Sequence, residues 1–336
     1  MSLREHLLSS WQWPSFLTYV LMPLSWVYRC VFAIRKFAYR RGLFSSYHSQ
    51  VPVIVIGNLT VGGTGKTPLV IYLVELLREN GFSPAVISRG YSGDAPHYPF
   101  EVSPETSVEE SGDEPALIVK RTNVPMVVGP NRGANIDLLL AKNSVDVIVS
   151  DDGLQHLALQ RDMEVCLVDE TANIKNTNLL PAGPYREPLS RLNSVDFVVH
   201  HQQVKDQIKH DNYTMTLQAG QAKPLSSQQV DSQLGQQKQI HAVAGIGNPE
   251  RFFKTCELEG YTINKHSFPD HHHFQEADLV FGDDEPILMT EKDAVKCQNF
   301  KLPNAWYLPV DAQLSKGFSE ALLSRLNKII VTKNTL

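Results

Sequence analysis

The chain is short of cysteine, of long uninterrupted apolar runs and, beyond its first fifty residues, of positive charge. Cys30, Cys166, Cys256 and Cys297 lie too far apart for a zinc or Cys-x-x-Cys spacing. That argues against an oxidising compartment and leaves small core residues as their expected role. Charged residues make up only 20% of the total, so the composition is that of an ordinary globular protein. No internal repeat is present. At 336 residues the chain can bury a large core and is expected to divide into two domains.

The net charge of −5 is unevenly spread. Residues 1–50 carry Arg4, Arg29, Arg35, Lys36, Arg40 and Arg41 against the single acid Glu5, about +5, which leaves about −10 for the rest. An acidic body with a basic head argues against a general nucleic-acid binder and for a localised anionic partner.

That head, residues 11–39, is apolar and aromatic. Its longest charge-free piece, residues 11–28, contains Pro14 and Pro23, short of the roughly 20 apolar residues that a spanning helix needs. A cleaved signal peptide would end in small residues, whereas this segment ends in a basic cluster. A buried helix and a single span remain open. The favoured reading is an interfacial helix, with Trp11, Trp13, Trp26 and Tyr28 at headgroup depth and the arginines on anionic phospholipid. Arginines beside such a segment favour the cytoplasmic side.

Residues 58–67 read Asn-Leu-Thr-Val-Gly-Gly-Thr-Gly-Lys-Thr, between an apolar run at 51–56 and an amphipathic stretch at 68–80. A strand, a glycine-rich turn and Lys-Thr opening a helix form a cradle of backbone N–H groups for nucleotide phosphates. Thr60, Val61, Gly62, Gly63, Thr64, Gly65, Lys66 and Thr67 are the candidate nucleotide contacts. Lys66 would reach the β- and γ-phosphates, and the Thr67 hydroxyl would ligate Mg²⁺. Thr60 stands where the general pattern has glycine.

Short apolar stretches at 84–88, 124–128, 145–150 and 163–169 alternate with helical spacing, which predicts a doubly wound, mostly parallel α/β sheet of the P-loop NTPase kind. Residues 92–112 read as loop. In such sheets ligands gather at the carboxyl ends of the strands, where Asp113, Asp151, Asp152 and Asp169 would converge on the glycine-rich loop. One of Asp151 and Asp152 is expected to hold Mg²⁺, although tandem acids also cap whatever turn follows a strand. Asp113 and Glu114 open a helix, where acids are common without any function. His271, His272 and His273 are adjacent and point in different directions on any regular backbone, so zinc held by them alone is not expected. One histidine paired with a carboxylate could relay a proton. Arg186 and Arg191, around a Pro-rich loop, could contact phosphate. The Gln-rich segment 218–239 reads as a linker or exposed hairpin. The expected division is a membrane-associated head at 1–42, a kinase core at 43–215, a linker at 216–240 and a smaller α/β unit at 241–336.

The ordered motifs resemble one family. They are Asn58-Leu-Thr-Val-Gly-Gly-Thr-Gly-Lys-Thr-Pro68, Ser88-Arg-Gly-Tyr91, Gly112-Asp-Glu-Pro115, Asp151-Asp-Gly-Leu-Gln-His156, Leu180-Pro-Ala-Gly-Pro184, Gly245-Ile-Gly-Asn-Pro249, Phe268-Pro-Asp-His271 and Met289-Thr-Glu-Lys-Asp293. Together, over residues 12–325, they resemble the tetraacyldisaccharide 4′-kinases of the lipid A pathway in Gram-negative bacteria, whose loop also departs from the general pattern at Thr60. The resemblance implies transfer of the ATP γ-phosphate to the 4′-hydroxyl of a tetraacyldisaccharide 1-phosphate, at the cytoplasmic face of the inner membrane. It implies Asp113 as base with His271 as partner, Lys66 on the phosphates, Asp152 in the catalytic set, and Mg²⁺ held by Thr67, Asp151, Asp152 and Glu114. It implies a second domain closing over the nucleotide and a glycolipid substrate; the charge distribution adds the expectation of no nucleic-acid partner, and a monomer is expected although the sequence does not fix the oligomeric state. The rival from the residues alone is a membrane-tethered nucleotide switch with no small acceptor.

Overall fold

In the computed structural model, residues 3–170, 174–201, 212–226, 234 and 238–333 are described. Two helices lead, α1 (Leu3–Gln12) and α2 (Phe16–Arg40). The large sheet follows: β1 (Val53–Asn58), α3 (Lys66–Glu79), β2 (Pro84–Ser88), β3 (Phe100–Val102), α4 (Val108–Ser111), α5 (Asp113–Thr122), β4 (Met126–Val128), α6 (Arg132–Lys142), β5 (Val147–Ser150), β6 (Met163–Asp169), β7 (Phe197–His201) and β8 (Asn212–Ala219). A smaller unit contains β9 (Lys223–Pro224), β10 (Gln239–Ala244), α7 (Pro249–Leu258), β11 (Thr262–Ser267), β12 (Ile287–Thr290), α8 (Glu291–Ala294) and β13 (Ala305–Leu308). The chain ends with β14 (Val310–Leu314) and α9 (Phe318–Lys333).

The large sheet has the order β14-β8-β7-β6-β1-β5-β2-β4-β3 and the smaller one β11-β10-β12-β13-β9. Among the described residues, antiparallel pairing is confined to the edge strands β3, β14 and β9. Strands covered on both faces have no solvated side to alternate towards, which is why β1 and β2 read as continuous apolar runs and are buried throughout. Ile54 and Ile56 face a core shared with Leu69 and Leu73 of α3, while Val53 and Val55 face Ile136 and Leu139 of α6. Each such side chain contributes roughly 1.5–3 kcal/mol when fully buried. Cys166 is buried in the large-sheet core with Val53 and Val55, Cys256 and Cys297 are buried in the cores of the smaller unit, and Cys30 is exposed; all four are free thiols.

The α/β expectation holds, but two boundaries change. The smaller unit does not run to the end of the chain as the 241–336 division has it. β14 crosses back to pair with β8 of the large sheet, and Phe318, Leu322 and Leu326 of α9 fill the large core beside Leu69 and Leu73. The segment assigned to a linker at 216–240 contributes the end of β8 to one sheet and β9 to the other, while much of its Gln-rich part lies outside the described residues. The span 92–112 is also not pure loop. It holds β3 and the short α4, the latter capped by Ser107 accepting from the Glu110 amide.

The head stands apart energetically. α2 is long and apolar enough to cross a membrane, with a mean hydropathy of 1.5 over its most apolar window, of which only 11% is buried. Phe16, Tyr19, Leu24, Trp26, Val31 and Ile34 are exposed. Its other side is pinned by polar contacts: Ser25 Oγ donates to the Leu179 carbonyl (2.8 Å), and Tyr28 donates to the Arg186 carbonyl (2.9 Å). From α1, which precedes it, Trp11 Nε1 donates to the Pro181 carbonyl (2.8 Å).

Candidate active site

The loop from Leu59 to Gly65 leaves the buried β1 and turns into α3 with Gly65 in the left-handed region at φ 92°, a conformation that strongly favours glycine. The loop is held from outside by the Pro-rich segment. Thr60 bridges to Tyr185, the Val61 amide donates to Pro184 (2.9 Å) and the Arg186 amide donates to Leu59 (2.7 Å). Thr64 and Thr67 are buried, and the Thr64 hydroxyl has no hydrogen-bond partner among the described residues. Lys66 Nζ donates to Asn58 Oδ1 (3.1 Å) and lies 3.5 Å from Asp152.

β5 ends at Ser150, and its tandem acids follow immediately. Asp152 sits at φ 46° and takes both ends of the Arg186 guanidinium at 3.1 Å. Burial acts to raise its pKa, but Lys66 and Arg186 outweigh that and hold the carboxyl at about 2. Asp151 is in the opposite position. It is buried, Ser88 Oγ donates to one oxygen (3.3 Å), and the other oxygen has no partner among the described residues. Burial first, then Glu114 and Asp152, push its carboxyl up to about 7. Two adjacent acids therefore have opposed protonation preferences.

The third element comes from the meeting of the two units. Asp113, buried at the start of α5, accepts from His271 Nδ1–H at 2.9 and 3.1 Å. His271 lies after β11 with φ 60°. Burial tends to raise the Asp113 carboxyl, yet the His271 hydrogen bond and Lys292 bring it below its ordinary value. The same hydrogen bond raises the imidazole above its ordinary value. Lys292 of α8 stands 3.1 Å from Glu114, 3.6 Å from Asp113 and 3.7 Å from Asp270, and these acids raise its ammonium pKa against burial. His272 instead turns to Asp278 (3.1 Å), and His273 is exposed.

These parts form one continuous run. A Cβ on Gly247 would lie 3.3 Å from the Gly63 amide and 3.4 Å from Asp270, so the turn after β10 rests on the glycine-rich loop. Asp270 is 3.7 Å from His271 Nε2, and Glu114 joins Lys292 to the field at Asp151. Of the residues singled out in sequence, Lys66, Asp151, Asp152, Asp113, Glu114 and His271 all belong to this run. Asp169 reaches the loop from another side: it lines a pocket with Leu59 and Thr60 and lies 4.0 Å from Arg251 and 3.9 Å from His201, whose Nδ1 is 3.1 Å from the Thr64 carbonyl. Arg186 binds Asp152, and Arg191 is buried against Glu164 and Glu187, so their charges are already engaged within the protein. Lys292 was missed. It lies in the 289–293 motif, but its partners are distant in sequence and no local spacing could reveal them.

Fold and site together define an α/β phosphotransferase with a glycine-rich loop between its first sheet strand and the helix that follows. Residues 17–327 match the family model described as Tetraacyldisaccharide-1-P 4'-kinase, and the chain belongs to that family. It is 48% identical over 332 residues to the tetraacyldisaccharide 4'-kinase of Hahella chejuensis, covering 95% of this chain and 96% of that protein. It is 46% identical over 315 residues to the one from Nitrosococcus oceani, covering 92% and 91%. Among solved structures, LpxK from Aquifex aeolicus in complex with ATP superposes with a TM-score of 0.79 at 29% identity, over 93% of this chain and all of that one.

Proposed function

We propose that the protein transfers the γ-phosphate of ATP to the 4′-hydroxyl of a tetraacyldisaccharide 1-phosphate. The observation that carries this reading is the Asp113–His271 contact set against the glycine-rich loop. A nucleotide switch needs the loop and an acid, but not a carboxylate–histidine pair drawn from two units. The proposed nucleotide contacts are the backbone of residues 60–65 with Lys66 and Thr67. Lys66, now shared between Asn58 and Asp152, would turn to the phosphates. Asp113 is the proposed acceptor of the hydroxyl proton. His271 Nδ1–H keeps it ionised and aligned, and its own raised proton affinity lets the pair, rather than either group alone, carry that proton. As the acceptor oxygen bonds to phosphorus, the bond to the ADP oxygen breaks and ADP leaves with the electron pair.

Mg²⁺ suits this pocket by its donor chemistry. The unpartnered Asp151 oxygen and the upward push on that carboxyl describe an oxygen-only site short of positive charge. Thr67, Asp151 and Asp152, with Glu114 behind them, are the residues that would hold the ion. When bound, it supplies charge neutralisation at the phosphates.

The exposed apolar face of α2 and its arginines support attachment to an anionic membrane, at the cytoplasmic face of the bacterial inner membrane, with acyl chains left in the bilayer. A chain lacking residues 1–40 is expected to stay in the supernatant when membranes are pelleted; continued co-sedimentation removes this part of the reading. For the chemistry, γ-labelled ATP is incubated with the chain and tetraacyldisaccharide 1-phosphate. Labelled lipid is the expected product, and release of free phosphate alone would favour the switch.

A further inference from the structure

A second cluster lies in the smaller unit, towards the end of its sheet away from Gly247 and Asp270. His241 of β10 is buried, and its Nε2 stands 2.9 Å from Asp283 Oδ1 and 3.7 Å from Glu285 Oε2. One donor atom from each of the three falls within 4.8 Å of the others. Bonds of about 2.1 Å to a tetrahedral cation would put donors roughly 3.4 Å apart, which the two measured separations straddle. The other ring nitrogen, Nδ1, is 2.9 Å from His266 Nε2, and Phe281 stacks on both rings at 4.2 and 3.9 Å. Asn264 donates to Glu285 Oε2 (2.9 Å), and the Glu285 amide donates to Asp283 (3.1 Å). Ring and carboxylates are thus all oriented by neighbours, as the ligands of a built metal site are.

We propose that His241, Asp283 and Glu285 bind a first-row transition-metal dication, with Zn²⁺ as the reference ion and His266 as the positioning residue. One imidazole nitrogen with two carboxylates selects a borderline cation, whereas the all-oxygen pocket at Asp151 suits Mg²⁺. Binding needs no net proton loss from the neutral pair. His241 gives its Nε2 lone pair to the metal and carries its proton on Nδ1, which donates to His266 Nε2. His266 then holds its own proton on Nδ1. The half-exposed Asp283 leaves a side open to water. The bound ion would fasten the loop before β12 to β10, away from the phosphoryl chemistry.

The test is titration of the untagged, chelator-stripped full chain with Zn²⁺ against a competing chromophoric chelator, with Mg²⁺ as a parallel arm. One equivalent of Zn²⁺ is expected to bind at micromolar concentration or below, Mg²⁺ is expected not to displace it, and the rise in Tm with micromolar Zn²⁺ is expected to survive Asp151→Asn but not Glu285→Gln. Glu285→Gln and Asp283→Asn, on more exposed side chains, keep the test valid should His241→Gln fail to fold. Each is expected to weaken binding by about tenfold or more, and His266→Gln by about ten- to a hundredfold. The d–d spectrum of bound Co²⁺ should change in His266→Gln, which a merely structural role would not cause. Absence of binding, equal binding in all variants, or loss in His271→Gln instead of the Glu285 and Asp283 variants would each overturn the site.

Discussion

The two halves of the candidate active site are built in different ways. The large-sheet half is local: residues 58–67 form one loop, and Asp151 and Asp152 are neighbours following one strand. The other half is assembled from afar. Asp113 meets His271 across 158 positions and Glu114 meets Lys292 across 178. A local half keeps its geometry whenever its strand and helix form. An assembled half exists only when the two units are in contact, so its chemistry reports on that contact as well as on the side chains.

The largest expected effect breaks the assembled half alone. Asp113→Asn should lower turnover by about 10²- to 10⁴-fold while ATP affinity changes little, as measured by steady-state kinetics and nucleotide titration. Near wild-type turnover would remove Asp113 as base. Next comes the local half, through Asp151. With its carboxyl near pH 7, a proton competes with the metal, so Mg²⁺ affinity should rise with pH by up to about tenfold per unit below 7 and level off above. Asp151→Asn should flatten that slope in isothermal titrations between pH 6 and 8.

A smaller effect concerns the contact between the units. His271 has a raised folded pKa, so its contribution to stability is fully present below its unfolded value near 6.5 and is lost as pH climbs through the folded value. Asp113 is depressed, so its contribution is present above its unfolded value near 3.9 and is lost as pH falls through the folded one. The Tm difference between wild type and His271→Gln should therefore be largest between about pH 4 and 6.5 and shrink above. A difference that does not vary with pH in calorimetry would mean the pair does not titrate as described. The smallest effect is Tyr28→Phe, which removes one bond from head to Arg186 and should cost about 0.5–1.5 kcal/mol in chemical denaturation.

The same contrast explains what could be read beforehand. β1 and β2 are apolar runs because both faces are covered, and Gly-Lys-Thr after a strand identifies its own geometry, so these parts were legible. The motif resemblance pairs Asp113 with His271, and the fold puts the two in hydrogen-bond contact. Among the three adjacent histidines, the choice of His271 becomes geometric only in the fold, where His272 is taken by Asp278. For Arg186 the sequence leaves phosphate contact and no specific role both open, because nothing local reveals that Asp152 occupies its guanidinium. Residues 310–333 were placed in the wrong unit for a related reason. An amphipathic helix shows that it has an apolar face, and strand order alone decides which core receives that face.

That return of the last strand and helix has a consequence for how the protein is made. The first sheet laid down by the ribosome lacks β14, and its core lacks Phe318, Leu322 and Leu326, until the smaller unit has been synthesised and the chain has passed residue 326. A nascent chain halted after β13 would carry a finished insert on an open, sticky host. Synthesis of residues 310–326, rather than emergence of the glycine-rich loop, is thus the step that closes the core beneath α3.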